Sequence, residues 1–375
     1  MIPRHYDELE RFLEPGKVLV LYGPRQVGKT TLVREYLKRT RWKARVETGE
    51  DFRLQELFTL GRLDRLLEFV AGYELVVIDE AQKLAGIGAG LKMIVDASPS
   101  LRVIATGSSS FELAGQVGEP LTGRKRTLTL FPVAQLELAN LYNRHELREK
   151  LEESILFGGY PEVVSAGSTQ EKTRILHELT SSYLLKDVLS LEKIRNSRTI
   201  FDLLRLIALQ IGAEVSLSEL GTQLGVNYKT IDRYLDILEK SFILYRLPGM
   251  GSNPRTDLRK KCKYYFFDTG IRNALLSNLN PLSLRADTGP LWENFLCIER
   301  MKRQAYLEQY ANFRFWRNTA QQEVDLVEER EGRLAGFEFK WGARAPKPPK
   351  AWAGTVPDAT YTMIDRENYL DFVLS

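Results

Sequence analysis

The chain is poor in the residues that hold metals or cross-links. Among 375 residues there are two cysteines, Cys262 and Cys297, far apart in the sequence, and only three histidines. That excludes a disulfide framework and a zinc site of the usual spacing, and it leaves reduced, buried thiols as the expectation. No run of 18 apolar residues occurs, and the amino-terminal stretch carries acidic residues and no apolar core of the signal type. The expectation is a cytoplasmic protein with no membrane partner. Charge of one sign is also missing. Lys and Arg total 53 against 49 acidic residues, a net +4, so any surface for a polyanion must be local. Apolar content of 43% and charged content of 27% describe a globular chain, and its length calls for two to four domains.

What is present is organised around Gly23-Pro24-Arg25-Gln26-Val27-Gly28-Lys29-Thr30, followed by Thr31. This fits G-x-x-x-x-G-K-[ST] at every fixed position, the pattern of a phosphate-binding loop. Its flanks agree: Val18 to Tyr22 form a continuous apolar run of the buried parallel-strand kind, and Leu32, Val33, Tyr36 and Leu37 form a helical stripe. Glycines let successive backbone N–H groups turn inward around phosphate oxygens at the positive end of a helix. Lys29 then reaches the β- and γ-phosphates and Thr30 holds Mg²⁺, so ATP or ADP with Mg²⁺ is the expected ligand. About fifty residues on, Leu75-Val76-Val77-Ile78 ends in Asp79-Glu80. An aspartate at the end of a central parallel strand holds Mg²⁺ through water, and the adjacent glutamate polarises the attacking water. A third strand, 101–105, runs into Thr106-Gly107-Ser108-Ser109-Ser110. Ser108 is the candidate to touch the γ-phosphate or the water, and a serine-rich turn capping the next helix is the alternative. Residues 1–16 read as a short amphipathic helix through Tyr6, Leu9, Phe12 and Leu13.

The stretches GPRQVGKTTL, LVVIDEAQKL, VIATGSSSF, LTGRKRTLTLFPVAQLEL and GGYPEVV, with further matches to the C-terminus, make the chain similar to the prokaryotic AAA-type ATPases that carry a carboxy-terminal domain of unknown function. The likeness covers nearly the whole chain. It implies that an arginine from a neighbouring subunit completes the site, which would be Arg124 acting in a homo-oligomer. The alternative is a surface arginine among Arg124, Lys125 and Arg126 on a strand edge.

From Gln135 to about Lys193 the pattern is helical, broken at Gly158-Gly159-Tyr160-Pro161, and reads as a lid or connector. Residues 200–247 have helix-turn-helix spacing: one helix through Ile211, a short one at 218–224, a turn at Gly225, and a third capped by Asn227. Strand-like 242–247 and 264–267 flank a basic loop, completing a winged helix. Tyr228, Lys229, Asp232 and Arg233 are the positions expected to face out. Between 254 and 272 lie six basic residues, Arg255, Arg259, Lys260, Lys261, Lys263 and Arg272, against Asp257 and Asp268. DNA or RNA is the partner this suggests, and docking of a protein is the alternative.

Past a helix at 290–305 with Glu293 on its flank come strands at 313–317, 323–327 and 336–341. Alternation puts Glu323 with Asp325 on one face, and Glu338 with Lys340. Asp325, twelve residues, then Glu338-Phe339-Lys340 looks like the PD-(D/E)XK nuclease signature, with Val324 in place of its proline. That resemblance implies a second Mg²⁺ held by Asp325 and Glu338, a lysine, Lys340, that helps activate water, and Glu293 as the helix acid often added. The fold expected is therefore α/β: an AAA-type P-loop domain with a parallel sheet (1–134), a helical lid (135–199), a winged helix (200–285) and a small nuclease-like α/β domain (286–375).

Overall fold

The computed structural model describes residues 2–107, 120–183, 197–250, 262–342, 349, 351–352 and 359–375. At its amino-terminal end, β1 (Val18–Tyr22) is buried along its whole length because strands flank it on both sides. With β2 (Ala44–Thr48), β3 (Leu75–Asp79), β4 (Arg102–Thr106) and β5 (Lys125–Thr129) it forms a parallel sheet in the order β2-β3-β4-β1-β5. This is an α/β domain consistent with a P-loop nucleotide-binding sheet. Alternate residues serve opposite faces. Leu19, Leu21, Val77 and Ile104 pack under Leu32, Val33 and Tyr36 of α1 (Lys29–Leu37). Val18, Val20, Ile78 and Val103 pack under the helices Phe52–Leu60, Leu63–Val70 and Ile87–Ala97.

Two expectations need correction here. Of the expected helix, the described residues 2–16 form a single 3-10 turn, Leu9–Phe12; Tyr6, Leu9 and Leu13 are buried as expected, but long-range side-chain contacts rather than helix hydrogen bonds set the path. The strand expected at 101–105 runs one residue later.

Five short helices from Gln135–Leu138 to Thr169–Glu178 follow. Their break has a steric cause. Gly158 has φ +72°, and a Cβ there would lie 2.1 Å from the Asp268 carboxylate, which accepts from the Gly159 N–H at 2.7 Å. Next come the helix Ser197–Leu209, β6 (Glu214–Val215), the helix Leu217–Leu224, and α2 (Tyr228–Lys240), whose Asn227 cap accepts from the Lys229 N–H at 2.9 Å. Gly225, at φ +66°, makes the turn between the two helices. β7 (Leu244–Pro248) and β8 (Cys262–Phe266) complete an antiparallel sheet in the order β6-β8-β7. Ile231, Tyr234, Leu235 and Leu238 are buried, while Tyr228, Lys229, Asp232 and Arg233 are exposed. The basic run at 254–261 lies outside the described residues. Its two remaining members are not surface cations: Lys263 and Arg272 are each 1% exposed. Arg272 donates to the Ala208 carbonyl and pairs with Asp287.

At the carboxy-terminal end, α3 (Thr288–Tyr306) precedes the antiparallel strands β9 (Asn312–Arg317), β10 (Glu323–Arg330) and β11 (Arg333–Phe339), with β12 (Thr360–Ile364) parallel to β11. Phe337 and Phe339 pack at an angle against Phe372, and Trp341 meets Trp292 edge to face. One apolar core runs without interruption from Val133 through the antiparallel sheets to Val373.

Candidate functional site

The loop between β1 and α1 depends on its glycines. A Cβ on Gly23, at φ +146°, would lie 2.0 Å from the Leu130 carbonyl oxygen, and Gly28 caps α1 at φ +95°. Gln26 is exposed at φ +60°, Pro24 and Val27 are buried, Arg25 is half-buried and Thr31 is exposed. Lys29 is 6% exposed, and its ammonium donates to the Gly23 and Pro24 carbonyls at 2.8 and 2.7 Å. This folds the lysine across the mouth of the loop.

Thr30 Oγ1 donates to Asp79 Oδ2 at 2.9 Å, so the two groups expected around one metal are already in contact. The other Asp79 oxygen accepts from Thr106 Oγ1, and the same hydroxyl accepts from the Glu80 N–H at 3.3 Å. Thr106 was read from sequence only as the start of a hydroxyl-rich strand end, yet it ties Asp79 and Glu80 together. Glu80 sits at φ +51°, and its Oε2 accepts from Gln82 Nε2 at 2.5 Å. Ser108 lies outside the described residues. Arg124 is not at this mouth: its carbonyl accepts from the Val18 N–H at the opening of β1, and its Nε meets Asp96 at 2.7 Å. The length of a five-residue strand, ~17 Å, therefore separates it from its own loop.

Arg4 braces the loop from behind. The guanidinium, 8% exposed, donates to the Val27 carbonyl, to Glu137 Oε1 at 3.0 Å and to the Phe131 carbonyl at 2.6 Å. Tyr306, at the end of α3, reaches the same cluster: its hydroxyl accepts from the Phe131 N–H at 3.2 Å and donates to Glu137 at 3.4 Å.

A second cluster lies where α3, β10 and β11 meet. One carboxylate oxygen each from Glu293, Glu323 and Asp325 lies within 4.8 Å of the others. Asp325 Oδ2 accepts from the Phe339 N–H at 2.8 Å, and burial, with the charges of Glu293 and Glu338, pushes its pKa well above the ordinary carboxylate range. Glu338 pairs with Lys340 at 2.6 Å through Oε1, while its buried Oε2 has no hydrogen-bond partner among the described residues. The sequence reading brought together Asp325, Glu338, Lys340 and Glu293; Glu323 joins them by alternation. It missed Lys263 and Tyr265, both from β8. The Lys263 ammonium pairs with Glu293 at 2.8 Å and with Glu323, and the Tyr265 hydroxyl donates to Glu293 at 2.5 Å. No local pattern marks these two, because the contact spans about thirty residues or more.

Residues 15–139 match a family model described as an AAA domain, 148–282 one described as a domain of unknown function (DUF8612), and 288–352 another domain of unknown function (DUF4143). An uncharacterized protein of Mycobacterium tuberculosis is 30% identical over 337 residues, covering 88% of this chain and 72% of its own. An uncharacterized protein of Haemophilus influenzae is 24% identical over 321 residues, 80% of this chain and 78% of its own. Among solved structures, the flagellar accessory protein FlaH from Methanocaldococcus jannaschii overlaps with a TM-score of 0.23 at 12% identity, over 34% of this chain and 80% of its own. That overlap is too slight to bear on the fold. No helix among the described residues is long and apolar enough to cross a membrane.

Proposed function

We propose, from the premise that the chain belongs to the family of AAA-domain proteins that includes the mycobacterial relative, that it binds ATP with Mg²⁺ and hydrolyses it. The observation that carries this reading is the Thr30–Asp79 contact, which joins the loop to the end of β3 at the point where a metal would sit. Thr30 and Asp79 would hold Mg²⁺, which supplies charge neutralisation at the β- and γ-phosphates. Lys29 exchanges the Gly23 and Pro24 carbonyls for phosphate oxygens. Glu80, held by Gln82 and by the Thr106 contact to its N–H, orients and polarises water. Lys29→Ala should abolish nucleotide binding measured by calorimetry, and Glu80→Gln should keep binding and lose turnover. Equal loss of binding in both would contradict these roles.

Arg124 fits a role in trans, since it is half-exposed at the far end of the sheet from its own loop. In that role Arg124→Ala loses turnover alone and regains part of it when mixed with Lys29→Ala, whose arginine is intact.

The ATPase is read as coupled to nucleic acid. Support comes from the order helix, short strand, two helices joined at Gly225, and hairpin, from the exposed set Tyr228, Lys229, Asp232 and Arg233, and from the acidic cluster beyond it. For that cluster, Glu338 Oε2, without a close hydrogen-bond partner among the described residues, and four carboxylates against Lys263 and Lys340 fit a divalent cation. Glu293, Asp325 and Glu338, with Glu323, would hold it, and it would activate water for phosphodiester attack beside Lys340. The burial of Lys263 and Arg272 removes two of the six cations that favoured a polyanion, and this favours the second reading, an ATP-gated switch that docks protein. A salt titration of DNA and RNA retention separates the two. A log-linear fall with salt supports nucleic acid, and no retention supports docking.

A further inference from the structure

The best-partnered group in the acidic cluster is a lysine from a different part of the chain. Lys263 lies on β8, central in the three-stranded sheet, yet its side chain is only 2% exposed and its ammonium sits on carboxylates of α3 and β10. It meets Glu293 Oε1 at 2.8 Å, meets Glu323 Oε1, and has the Phe315 ring at 5.3 Å. Tyr265, two residues along the same strand, adds a hydroxyl to Glu293. The sheet that carries β8 is docked at its rim: beyond β7 the Met250 N–H donates to the Phe315 carbonyl at 2.6 Å, and Glu214 of β6 pairs with Arg317 at 3.1 Å.

We propose that Lys263 is a built-in cation that occupies the divalent-cation position of the Glu293, Glu323 and Asp325 cluster and keeps that site closed until the ammonium is displaced. The proposal rests on the reading of this cluster as a metal site. Two cations cannot share the same oxygens at contact distance without strong repulsion, and three carboxylates within 4.8 Å suit one divalent ion better than one monovalent ammonium. A carboxylate cluster served only by its own module would be open to metal at all times. Here a lysine from the adjoining module closes it, and the metal affinity reports how β8 is seated.

The test is Mn²⁺ binding to the full, nucleotide-free chain, followed by electron paramagnetic resonance. Lys263→Met should bind Mn²⁺ at least about tenfold more tightly than the wild type, a change of about 1.4 kcal/mol, and Asp325→Asn added to Lys263→Met should abolish that binding. Tighter binding abolished by Asp325→Asn supports the proposal. Equal or weaker binding by Lys263→Met overturns it while leaving the metal site standing. No binding by wild type or variant overturns the metal-site reading, and the proposal with it. To separate the proposal from any folding defect of Lys263→Met, the wild type carries a second readout: acetylation of each lysine by an N-hydroxysuccinimide ester, read by mass spectrometry. Lys263 should be protected in metal-free protein and become reactive when Mn²⁺ saturates the cluster. Continued protection with Mn²⁺ bound overturns the proposal.

Discussion

The Arg4 guanidinium donates to the carbonyl of Val27, so the amino-terminal segment holds the phosphate-binding loop from its buried side. The same side chain pairs with Glu137, which is 1% exposed, and a buried carboxylate left alone is costly. Arg4→Met should therefore destabilise the protein by about 3–5 kcal/mol in urea denaturation. A loss under about 1 kcal/mol would mean that the pair is dispensable.

Thr106 offers a subtler handle. Its hydroxyl donates to Asp79 and accepts from the Glu80 N–H, and valine keeps the shape while removing both bonds. Thr106→Val should lower ATP turnover by about tenfold or more while nucleotide affinity stays within about threefold, since the loss falls on orientation rather than on phosphate contact. Single-turnover hydrolysis beside calorimetry would separate the two effects.

At Gly23 the constraint is steric. The added methyl of Gly23→Ala lands on the Leu130 carbonyl, and neither backbone can retreat without opening the β1–β5 edge, where the Leu130 N–H donates to the Tyr22 carbonyl at 2.8 Å. A cost of about 2–4 kcal/mol is expected, with loss of nucleotide-induced thermal stabilisation. A variant that melts like the wild type would show that the loop relaxes freely.

Glu239 on α2 sets a pH dependence. Burial pushes its carboxyl up to about 7 from 4.5, with Arg246 opposing and Asp236 and Asp232 adding to the rise. Below about pH 4.5 both folded and unfolded chains carry the proton, so the burial costs nothing there. Between about 4.5 and 7 the unfolded chain ionises first, so stability falls as pH rises, and the cost is constant above about 7. Glu239→Gln should be more stabilising at pH 8 than at pH 4.5 by about 1–3 kcal/mol, read as the difference between variant and wild type in guanidinium melts. Parallel curves at the two pH values would overturn this.

Much of the fold was legible where local pattern and burial agree. β1, α1, β3 with Asp79-Glu80, the capped helix at Tyr228–Lys240 and the strands around Asp325 and Glu338 all stand within a few residues of their expected places. β2 escaped notice, and β5 was read only as a strand edge at 124–126, because both are edge strands with half-exposed, charged faces, which blur the apolar run. The amino-terminal turn was misread because Tyr6, Leu9 and Leu13 have helical spacing, although Arg4 and Tyr306 fix their path. Lys263 was read as a surface cation for the same kind of reason: its neighbours in sequence are basic, and its partners in space lie thirty and sixty residues on. Local pattern reports the backbone well and long-range electrostatics poorly.

α3 is one unbroken helix with Tyr306 at one end, beside the phosphate-binding loop, and Glu293 near the other, among the carboxylates. Thirteen residues of α-helix make a rod of ~20 Å, so a tilt of ~10° pivoting at the tyrosine would swing the glutamate by ~3 Å, about the length of one hydrogen bond. These two polar centres thus sit toward opposite ends of a single helix, whose stiffness would carry a tilt at one to the other.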